Sequence, residues 1–283
     1  MTGDLNGDGI PDLLIPVNDP PPATGGTIYA YLGNGDGTFT QASATPTAAG
    51  GFVTLGDFNH DGKLDFATSG NLMALGNGDG TFQTPKSIVA QPPYGGFTNI
   101  AAGDLNGDGW TDLAITSFED SYIYVLLNNH GGGFTQTVIH AESGGFLLGP
   151  TQVVLAPLKR DGPLDMVVTD GYGSGAALYT NNGAGTFTYQ EGFPALESGV
   201  VVAVSDVNGD GIPDLIMTES STIAILLGKG NATFAAPYYI GAGYSPGDLL
   251  IQNLHGQPAA AGLPDIVVPD TTGGVMVLIN TTP

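Results

Sequence analysis

The chain has 283 residues, a formal charge of -22 from 27 acidic and five basic residues, and no cysteine. Such a negative chain is a poor partner for nucleic acid or an anionic membrane, and the lack of cysteine excludes disulfides, thiolate metal sites and a cysteine nucleophile. Because 41% of the residues are hydrophobic, the chain can bury a core, and its 46 glycines do not indicate disorder.

The acidic residues are mostly aspartate, with 22 Asp against five Glu. A surface that only had to be soluble would not select Asp in this way, so the bias indicates a specific use. No apolar run reaches the roughly 18 residues of a spanning helix, and the opening MTGDLNGDG has no basic segment followed by an apolar one. We therefore expect a soluble, loop-rich protein with no export signal visible in this sequence.

A nine-residue loop recurs along the chain. Intact copies read DLNGDGIPD, DFNHDGKLD, DLNGDGWTD and DVNGDGIPD, and they span Asp4–Asp12, Asp57–Asp65, Asp104–Asp112 and Asp206–Asp214. Two degenerate copies are PLKRDGPLD at Pro157–Asp165 and NLHGQPAAAGLPD at Asn253–Asp265. Repeats thus start near residues 4, 57, 104, 157, 206 and 253, and each of the first five continues to a turn of the type GNGDGTF. The chain therefore contains six units of about 50 residues.

Short runs rich in Val, Ile, Leu and Thr separate these signals, and no stretch has a sustained helical period. A unit of about 50 residues with four strands has the size of a propeller blade, whereas a calcium-binding β-helix repeats about every nine residues. We predict an all-β chain that forms a single β-propeller domain over residues 1–283, built of four-stranded blades. A six-bladed ring is favoured by the six repeats, and a fragment of a seven-bladed ring is the alternative.

The two ends of the array are incomplete. Only MTG precedes the first loop, and the last unit stops at VLINTTP, before a fourth strand. We expect either an open seam or a chain trimmed from a longer array. In the other units the fourth strand is expected to open with a phenylalanine that packs between blades, namely Phe39, Phe82, Phe134, Phe187 and Phe234.

The intact loop has the pattern DxNxDGxxD, which places side-chain oxygens at positions 1, 3, 5 and 9 and offers the backbone carbonyl of position 7. Oxygen ligands suit a hard cation, and a flexible loop with many oxygens favours Ca²⁺ over Mg²⁺. We predict one calcium ion in each of the four intact loops, bound by Asp4, Asn6, Asp8, Ile10 and Asp12; Asp57, Asn59, Asp61, Lys63 and Asp65; Asp104, Asn106, Asp108, Trp110 and Asp112; and Asp206, Asn208, Asp210, Ile212 and Asp214.

Asp, Asn and Gly also form ordinary turns, so one copy of the loop would not establish a metal site. Four copies favour the metal, because three carboxylates within about 5 Å repel by roughly 1 kcal/mol per pair in water. In the fourth loop Pro157 and Lys159 replace ligands, and we expect the Lys159 ammonium to lie against Asp161 and Asp165. The sixth loop, with His255 and an insertion, is predicted to hold no metal.

Calcium is expected to be structurally important. For sites with a dissociation constant of about 10⁻⁴ M in millimolar calcium, each ion adds roughly 1.4 kcal/mol of stability, so four add about 5 to 6 kcal/mol. Cytosolic calcium is too scarce to fill such sites, and a secreted or cell-surface location is therefore predicted. Asp36 and Asp79, in the GNGDGTF turns, are predicted to be turn residues rather than ligands.

These loops and turns resemble the FG-GAP/VCBS repeats of integrin α-subunit-type β-propellers, whose calcium loop reads DxDxDGxxD between the first two strands of a blade. The resemblance covers the whole chain and includes all four intact loops. The chain differs in having Asn at loop position 3 and no clear GAP segments, and integrin propellers have seven blades. The resemblance implies a calcium-braced extracellular scaffold for adhesion or ligand binding.

Catalytic groups are few in this sequence. GYSPG at Gly243–Gly247 fits the GxSxG pattern, but the proline after its serine and the absence of a helical pattern disfavour a nucleophile elbow. A propeller-type polysaccharide lyase or other carbohydrate-active enzyme is the alternative function, disfavoured because five basic residues offer little neutralisation of acidic sugars. Loop aromatics could instead bind a protein or glycan ligand: Tyr94, Trp110, Phe118, Tyr122, Phe146, Tyr172 and Tyr244. We predict a non-enzymatic recognition or adhesion scaffold.

Overall fold

A computed structural model describes residues 1–18, 25–47, 51–89, 96–143, 146–147, 149–172, 175–193, 201–219, 221–242, 249–254, 263–269 and 273–281. All regular elements in these ranges are β-strands, and none of the ranges contains a helix suited by length and apolarity to cross a bilayer. The chain divides into two compact units, Met1–His140 and Ala141–Pro283.

The first unit contains three four-stranded antiparallel sheets whose strands pair in chain order. The strands are β1 (Thr2–Gly3), β2 (Asp12–Asn18), β3 (Gly26–Gly33) and β4 (Phe39–Thr47); β5 (Val53–Gly56), β6 (Asp65–Thr68), β7 (Leu72–Ala74) and β8 (Lys86–Ser87); and β9 (Asn99–Gly103), β10 (Asp112–Ser117), β11 (Tyr122–Asn128) and β12 (Phe134–His140). We call these the first, second and third sheets.

The second unit contains a two-stranded hairpin, two four-stranded sheets and one three-stranded sheet. The hairpin is β13 (Glu142–Ser143) and β14 (Phe146–Leu147). The fourth, fifth and sixth sheets are β15 (Pro150–Ala156), β16 (Asp165–Asp170), β17 (Ala176–Asn181) and β18 (Phe187–Phe193); β19 (Val202–Ser205), β20 (Asp214–Glu219), β21 (Thr222–Leu226) and β22 (Tyr238–Gly241); and β23 (Leu250–Gln252), β24 (Asp265–Pro269) and β25 (Val275–Leu278).

Each sheet is a propeller blade in size and topology, since consecutive antiparallel strands pair in the order in which they occur. The predicted all-β class with four-stranded blades is confirmed, and the sixth sheet ends after three described strands, as the sequence indicated. The GNGDGTF turns join third and fourth strands, and Gly35 (φ 77°) and Gly37 (φ 87°) supply the left-handed backbone that such a hairpin needs.

Three of the five predicted phenylalanines open a fourth strand, namely Phe39, Phe134 and Phe187. The prediction was wrong for Phe82 and Phe234, which form only isolated bridges, and β8 and β22 begin four residues later. A proline, Pro85 or Pro237, stands directly before each of these two strands. Proline has no N–H to donate to the ladder, which explains the late start.

Three cores between neighbouring sheets of one unit share a pattern. Each joins the residue at loop position 2 to the phenylalanine of the following sheet: Leu5 with Phe82, Phe58 with Phe134, and Leu158 with Phe234. The predicted packing of phenylalanine between blades is therefore confirmed for these three. It was wrong for Phe39, which is 45% exposed.

Candidate metal centre

Every intact loop joins the first and second strands of its sheet. Position 1 follows the first strand, and position 9 is the first residue of the second strand in Asp12, Asp65, Asp112 and Asp214. The four loops share one burial profile, in which positions 1 and 3 are half-buried, position 5 is exposed and position 9 is fully buried. The predicted ligands are thus anchored in the sheet at one end and open to solvent at the other.

The buried aspartate at position 9 ties the loop to the sheet. Oδ2 of Asp12 accepts the Leu5 N–H at 2.7 Å, and its Oδ1 accepts the Gly33 N–H at 2.8 Å. The same pair of bonds recurs at Asp65 with Phe58 and Gly76, at Asp112 with Leu105 and Asn128, at Asp214 with Val207 and Gly228, and at Asp265 with Leu254 and Asn280. Position 9 therefore has a structural role that explains why the degenerate sixth loop keeps its aspartate.

The other carboxylates organise the loop itself. Asp4 accepts the Gly7 N–H at 2.7 Å and the Gly9 N–H at 2.9 Å. Asp8 accepts the Ile10 N–H at 2.8 Å through Oδ1, and its Oδ2 accepts the Asn6 side-chain amide at 2.9 Å. The third and fifth loops repeat all four bonds, and the second repeats three of them.

The carboxylates of one loop repel each other. Burial raises the pKa of Asp65 to about 6; two backbone N–H groups oppose the rise, and the carboxylates of Asp57 and Asp61 add to it. Burial likewise raises the pKa of Asp112 and of Asp214, again with the carboxylates at positions 1 and 5 adding to the rise. Positions 1, 5 and 9 of these three loops therefore form clusters of negative charge.

The donor set of each loop fits a hard cation, since it offers three carboxylates, one amide oxygen and one backbone carbonyl. Across the described residues, however, no three carboxylate or imidazole side chains stand in a preassembled metal-binding arrangement. The carboxylates accept loop N–H groups instead. Binding an ion requires the oxygens at positions 1, 3 and 5 to turn toward it.

The fourth loop carries its own cation. Lys159 Nζ lies 3.0 Å from Oδ1 of the fully buried Asp165 and donates to the Asn181 carbonyl at 2.9 Å. The predicted contact of Lys159 with Asp165 is confirmed, whereas no ion pair with Asp161 is found among the described residues. Oδ2 of Asp165 is buried without a hydrogen-bond partner, because the N–H at loop position 2, in Leu158, bonds to the Ala156 carbonyl instead.

The third loop differs from the other intact loops in its aromatic neighbours. Trp110, predicted as an open binding ring, is half-buried and contacts the rings of His60 at 4.9 Å and His130 at 4.7 Å between centroids. Both histidines stand at positive φ where other copies have glycine. His130 Nε2 also lies 2.9 Å from Asp108 Oδ2, so one metal-loop carboxylate already has an imidazole partner.

Sequence reasoning missed how the third strand meets the loop. In the first, second and fifth sheets a glycine stands there because a Cβ would come within 2.2 to 2.4 Å of the carbonyl at loop position 8. In the third, fourth and sixth sheets an asparagine donates its side-chain amide to that same carbonyl, at 3.0 to 3.2 Å. The sequence did carry a signal for this difference. At this point the first, second and fifth repeats have Leu-Gly, whereas the other three have a residue pair that ends in asparagine.

The remaining predicted residues have mixed outcomes. Asp36 and Asp79 are turn residues as predicted, each accepting the N–H and hydroxyl of the threonine two residues later. Tyr172 is 65% exposed, and Tyr122 packs against neighbouring rings. Tyr94, Tyr244, His255 and the GYSPG segment, and the side chain of Phe146, lie outside the described residues.

Comparison with protein families gives a consistent result. Residues 4–68, 67–115, 104–168 and 158–217 match the family model of the FG-GAP-like repeat. Integrin alpha-PS5 of Drosophila melanogaster is 31% identical over 150 residues, which are 43% of this chain and 15% of that protein. The chain therefore spans a small part of the curated relative that it matches.

Solved structures with a similar fold include two lectins. A lectin of Agrocybe aegerita that recognises non-reducing terminal N-acetylglucosamine has a TM-score of 0.68 at 18% identity, over 100% of this chain and 80% of that one. The BP39L lectin from Burkholderia pseudomallei has a TM-score of 0.60 at 16% identity, over 93% and 79%. A putative 6-phosphogluconolactonase from Bacteroides uniformis has a TM-score of 0.62 at 14% identity, over 97% and 84%. Identities this low show the fold alone.

Proposed function

We propose that this chain, which belongs to the FG-GAP-like repeat family, is a non-enzymatic scaffold that recognises protein or glycan ligands outside the cell and is stabilised by calcium. One ion is assigned to each intact loop. The resemblance of the chain to an integrin α-subunit and to lectins supports recognition, and the integrin relative also supports a cell-surface or extracellular setting.

One observation carries the calcium assignment. Each intact loop gathers three aspartates within nine residues, and the last of them is fully buried. Burial raises the pKa of Asp65 to about 6 and also raises the pKa of Asp112 and Asp214, and the other two carboxylates of each loop add to the rise. Clustering three carboxylates is costly, and a divalent ion with a preference for oxygen relieves that cost. In the fourth loop, where the ligand pattern is lost, a lysine lies beside the corresponding buried carboxylate.

Terbium luminescence can test the sites nearest the single tryptophan, which lies inside the third loop and contacts His60 of the second loop at 4.9 Å between ring centroids. Tb³⁺ resembles Ca²⁺ in ligand preference, so excitation of Trp110 is expected to give Tb³⁺ emission that excess Ca²⁺ removes. Asp108→Asn should weaken the signal several-fold, and the matched change Asp8→Asn, in the first loop, should leave it within twofold. Absence of emission, or equal loss in both variants, would contradict the assignment.

The ligand class is tested with glycan and protein arrays probed in millimolar calcium and again in EDTA. The proposal predicts selective binding that needs calcium because the loops hold the sheets in place. Release of unsaturated sugars from a polysaccharide in the same assay would instead identify a lyase and overturn the non-enzymatic assignment.

A further inference from the structure

Basic residues gather at one place in the second unit. The chain has five of them, and three are Lys159 and Arg160 in the fourth loop and Lys229 in the turn between β21 and β22. Arg160 is the only arginine in the chain. This gathering contrasts with the rest of the molecule, because the chain as a whole has a formal charge of -22.

Backbone hydrogen bonds hold the fourth loop against this turn. The Arg160 N–H donates to the Gly230 carbonyl at 3.0 Å, and the Ala232 N–H donates to the Leu158 carbonyl at 3.0 Å. Among the described residues, no intact loop is joined by backbone bonds to the turn of the following sheet. Since Lys229 directly precedes Gly230, the fold fixes the backbones of Arg160 and Lys229 close together.

Only part of this positive charge is balanced within the protein. Lys159 is used by the fourth loop, because its Nζ lies 3.0 Å from Oδ1 of the buried Asp165. Arg160 and Lys229 are exposed, and neither forms an ion pair with a described residue. The guanidinium and the second ammonium are therefore available to a ligand.

A cavity of about 300 Å³ lies beside Arg160. Its lining combines a positive group, a carboxylate and apolar surface, and includes Arg160, Asp161, Pro157, Ile212 and Pro213. These residues belong to the fourth loop and to the fifth loop, so the cavity lies between neighbouring loops of one unit. We call it the Arg160 cavity.

Each part of this lining suits a different part of an acidic sugar. A guanidinium donates two parallel N–H groups to a carboxylate, and Lys229 nearby adds attraction. The Asp161 carboxylate accepts sugar hydroxyl groups, whereas it would repel a bare inorganic anion. The three apolar residues can pack against the C–H face of a sugar ring. A carboxylate of a peptide side chain brings the charge but not the ring of hydroxyls.

We infer that the Arg160 cavity binds a uronic acid residue of a glycan, with its carboxylate on the Arg160 guanidinium. The volume of about 300 Å³ is at the lower end for small-molecule sites, which fits one sugar residue. The small number of basic residues does not argue against this ligand, because three of the five stand at one site. The inference rests on the recognition role in the proposed function and deepens it by naming a ligand class.

Isothermal titration calorimetry of the whole chain in millimolar calcium tests the inference. The probes are disaccharides of galacturonate, glucuronate and mannuronate, each compared with its methyl ester, which keeps the ring and the hydroxyls but loses the charge. Saturable 1:1 binding is expected for at least one acid, and its methyl ester should bind at least about tenfold more weakly. Sulfate and triglutamate, which carry charge without a sugar ring, should also bind at least about tenfold more weakly.

Two protein variants that each remove one positive charge locate the binding. Arg160 and Lys86 on β8 are both exposed, and Lys86 does not line the cavity. Arg160→Gln should weaken uronate binding at least about tenfold, and Lys86→Gln should leave it within about twofold. Both variants should fold, because the Arg160 bond to the turn uses its backbone N–H, and the melting temperature of each is measured to check this.

Three results would overturn the inference: no saturable binding of any of the three acids, equal affinity of an acid and its methyl ester, or equal effects of the two variants. Tighter binding of triglutamate than of every uronate would overturn it in favour of an acidic protein ligand, and tighter binding of sulfate would do so in favour of a simple anion site. All of these results leave the proposed function standing. That function fails instead if the glycan and protein arrays show no ligand.

Discussion

The third and fourth loops both end in a buried aspartate, but they differ in the charged groups that lie beside it. This aspartate is Asp112 or Asp165, and its Oδ1 accepts an asparagine N–H at 2.7 Å. In the third loop burial raises the pKa of Asp112 and two further carboxylates add to the rise, whereas in the fourth loop Lys159 lies 3.0 Å from Asp165. The difference teaches that the blade fold itself needs position 9, and that its charge is balanced locally, by an ion in our proposal or by lysine.

The loops are distributed unevenly between the two units. Met1–His140 contains three intact loops, and Ala141–Pro283 contains one intact loop together with the lysine-bearing one. If calcium fills the intact loops, the two units differ in how much of their stability depends on calcium.

Removal of calcium is expected to have the largest effect. Four sites of roughly 1.4 kcal/mol each predict a loss of about 5 to 6 kcal/mol in EDTA, three quarters of it in the first unit. Hydrogen exchange measured in calcium and in EDTA should show more protection lost in β2, β6 and β10 than in β16. Equal changes in all four strands, or no change, would contradict the expected difference between the intact loops and the fourth loop.

Replacing Lys159, the cation inside the fourth loop, is expected to have the next largest effect on the free energy of unfolding. Lys159→Met leaves the buried Asp165 without its ion pair and is expected to cost about 2 to 4 kcal/mol in the free energy of unfolding, equally in calcium and in EDTA. The control is Lys63→Met, which breaks an exposed pair of 3.9 Å and should stay within about 0.5 kcal/mol. Urea unfolding of both variants checks this, and a cost that depends on calcium would contradict it.

Removing one proposed ligand should change the free energy of unfolding in opposite directions in calcium and in EDTA. In millimolar calcium, Asp61→Asn is expected to lose up to about 1.4 kcal/mol because the second loop binds its ion more weakly. In EDTA the same change should stabilise by a few tenths of a kcal/mol, since Asp65 loses a repelling neighbour. Unfolding curves in both buffers decide the point, and destabilisation of equal size in both would show a purely structural role for Asp61.

The smallest stability change is expected from rebuilding the fourth loop. Pro157→Asp combined with Lys159→Asn restores the pattern DxNxDGxxD, so an ion replaces the ammonium and the net change in calcium should be within about 1 kcal/mol. The bound calcium should rise by one ion per chain, as counted by equilibrium dialysis. An unchanged count with a folded variant would show that the pattern alone does not make a site.

The sequence predicted the repeats, the strands and the position of each loop, because these depend on local patterns of turn residues and apolar runs. It could not separate the two roles of Asp12 and its equivalents, since a buried hydrogen-bonded aspartate and a metal ligand look alike in sequence. The late starts of β8 and β22 were visible in principle from the prolines before them. The exposure of Phe39 was not visible in the local pattern, because Phe187 follows a similar turn and is buried.

The central claim is that the intact loops, and not the fourth, take up calcium. Equilibrium dialysis of the whole chain against millimolar calcium, with atomic absorption to count bound ions, tests it most directly. We predict four ions per chain in the wild type and three in Asp61→Asn. No calcium retained at millimolar concentration, or the same count in wild type and variant, would contradict it.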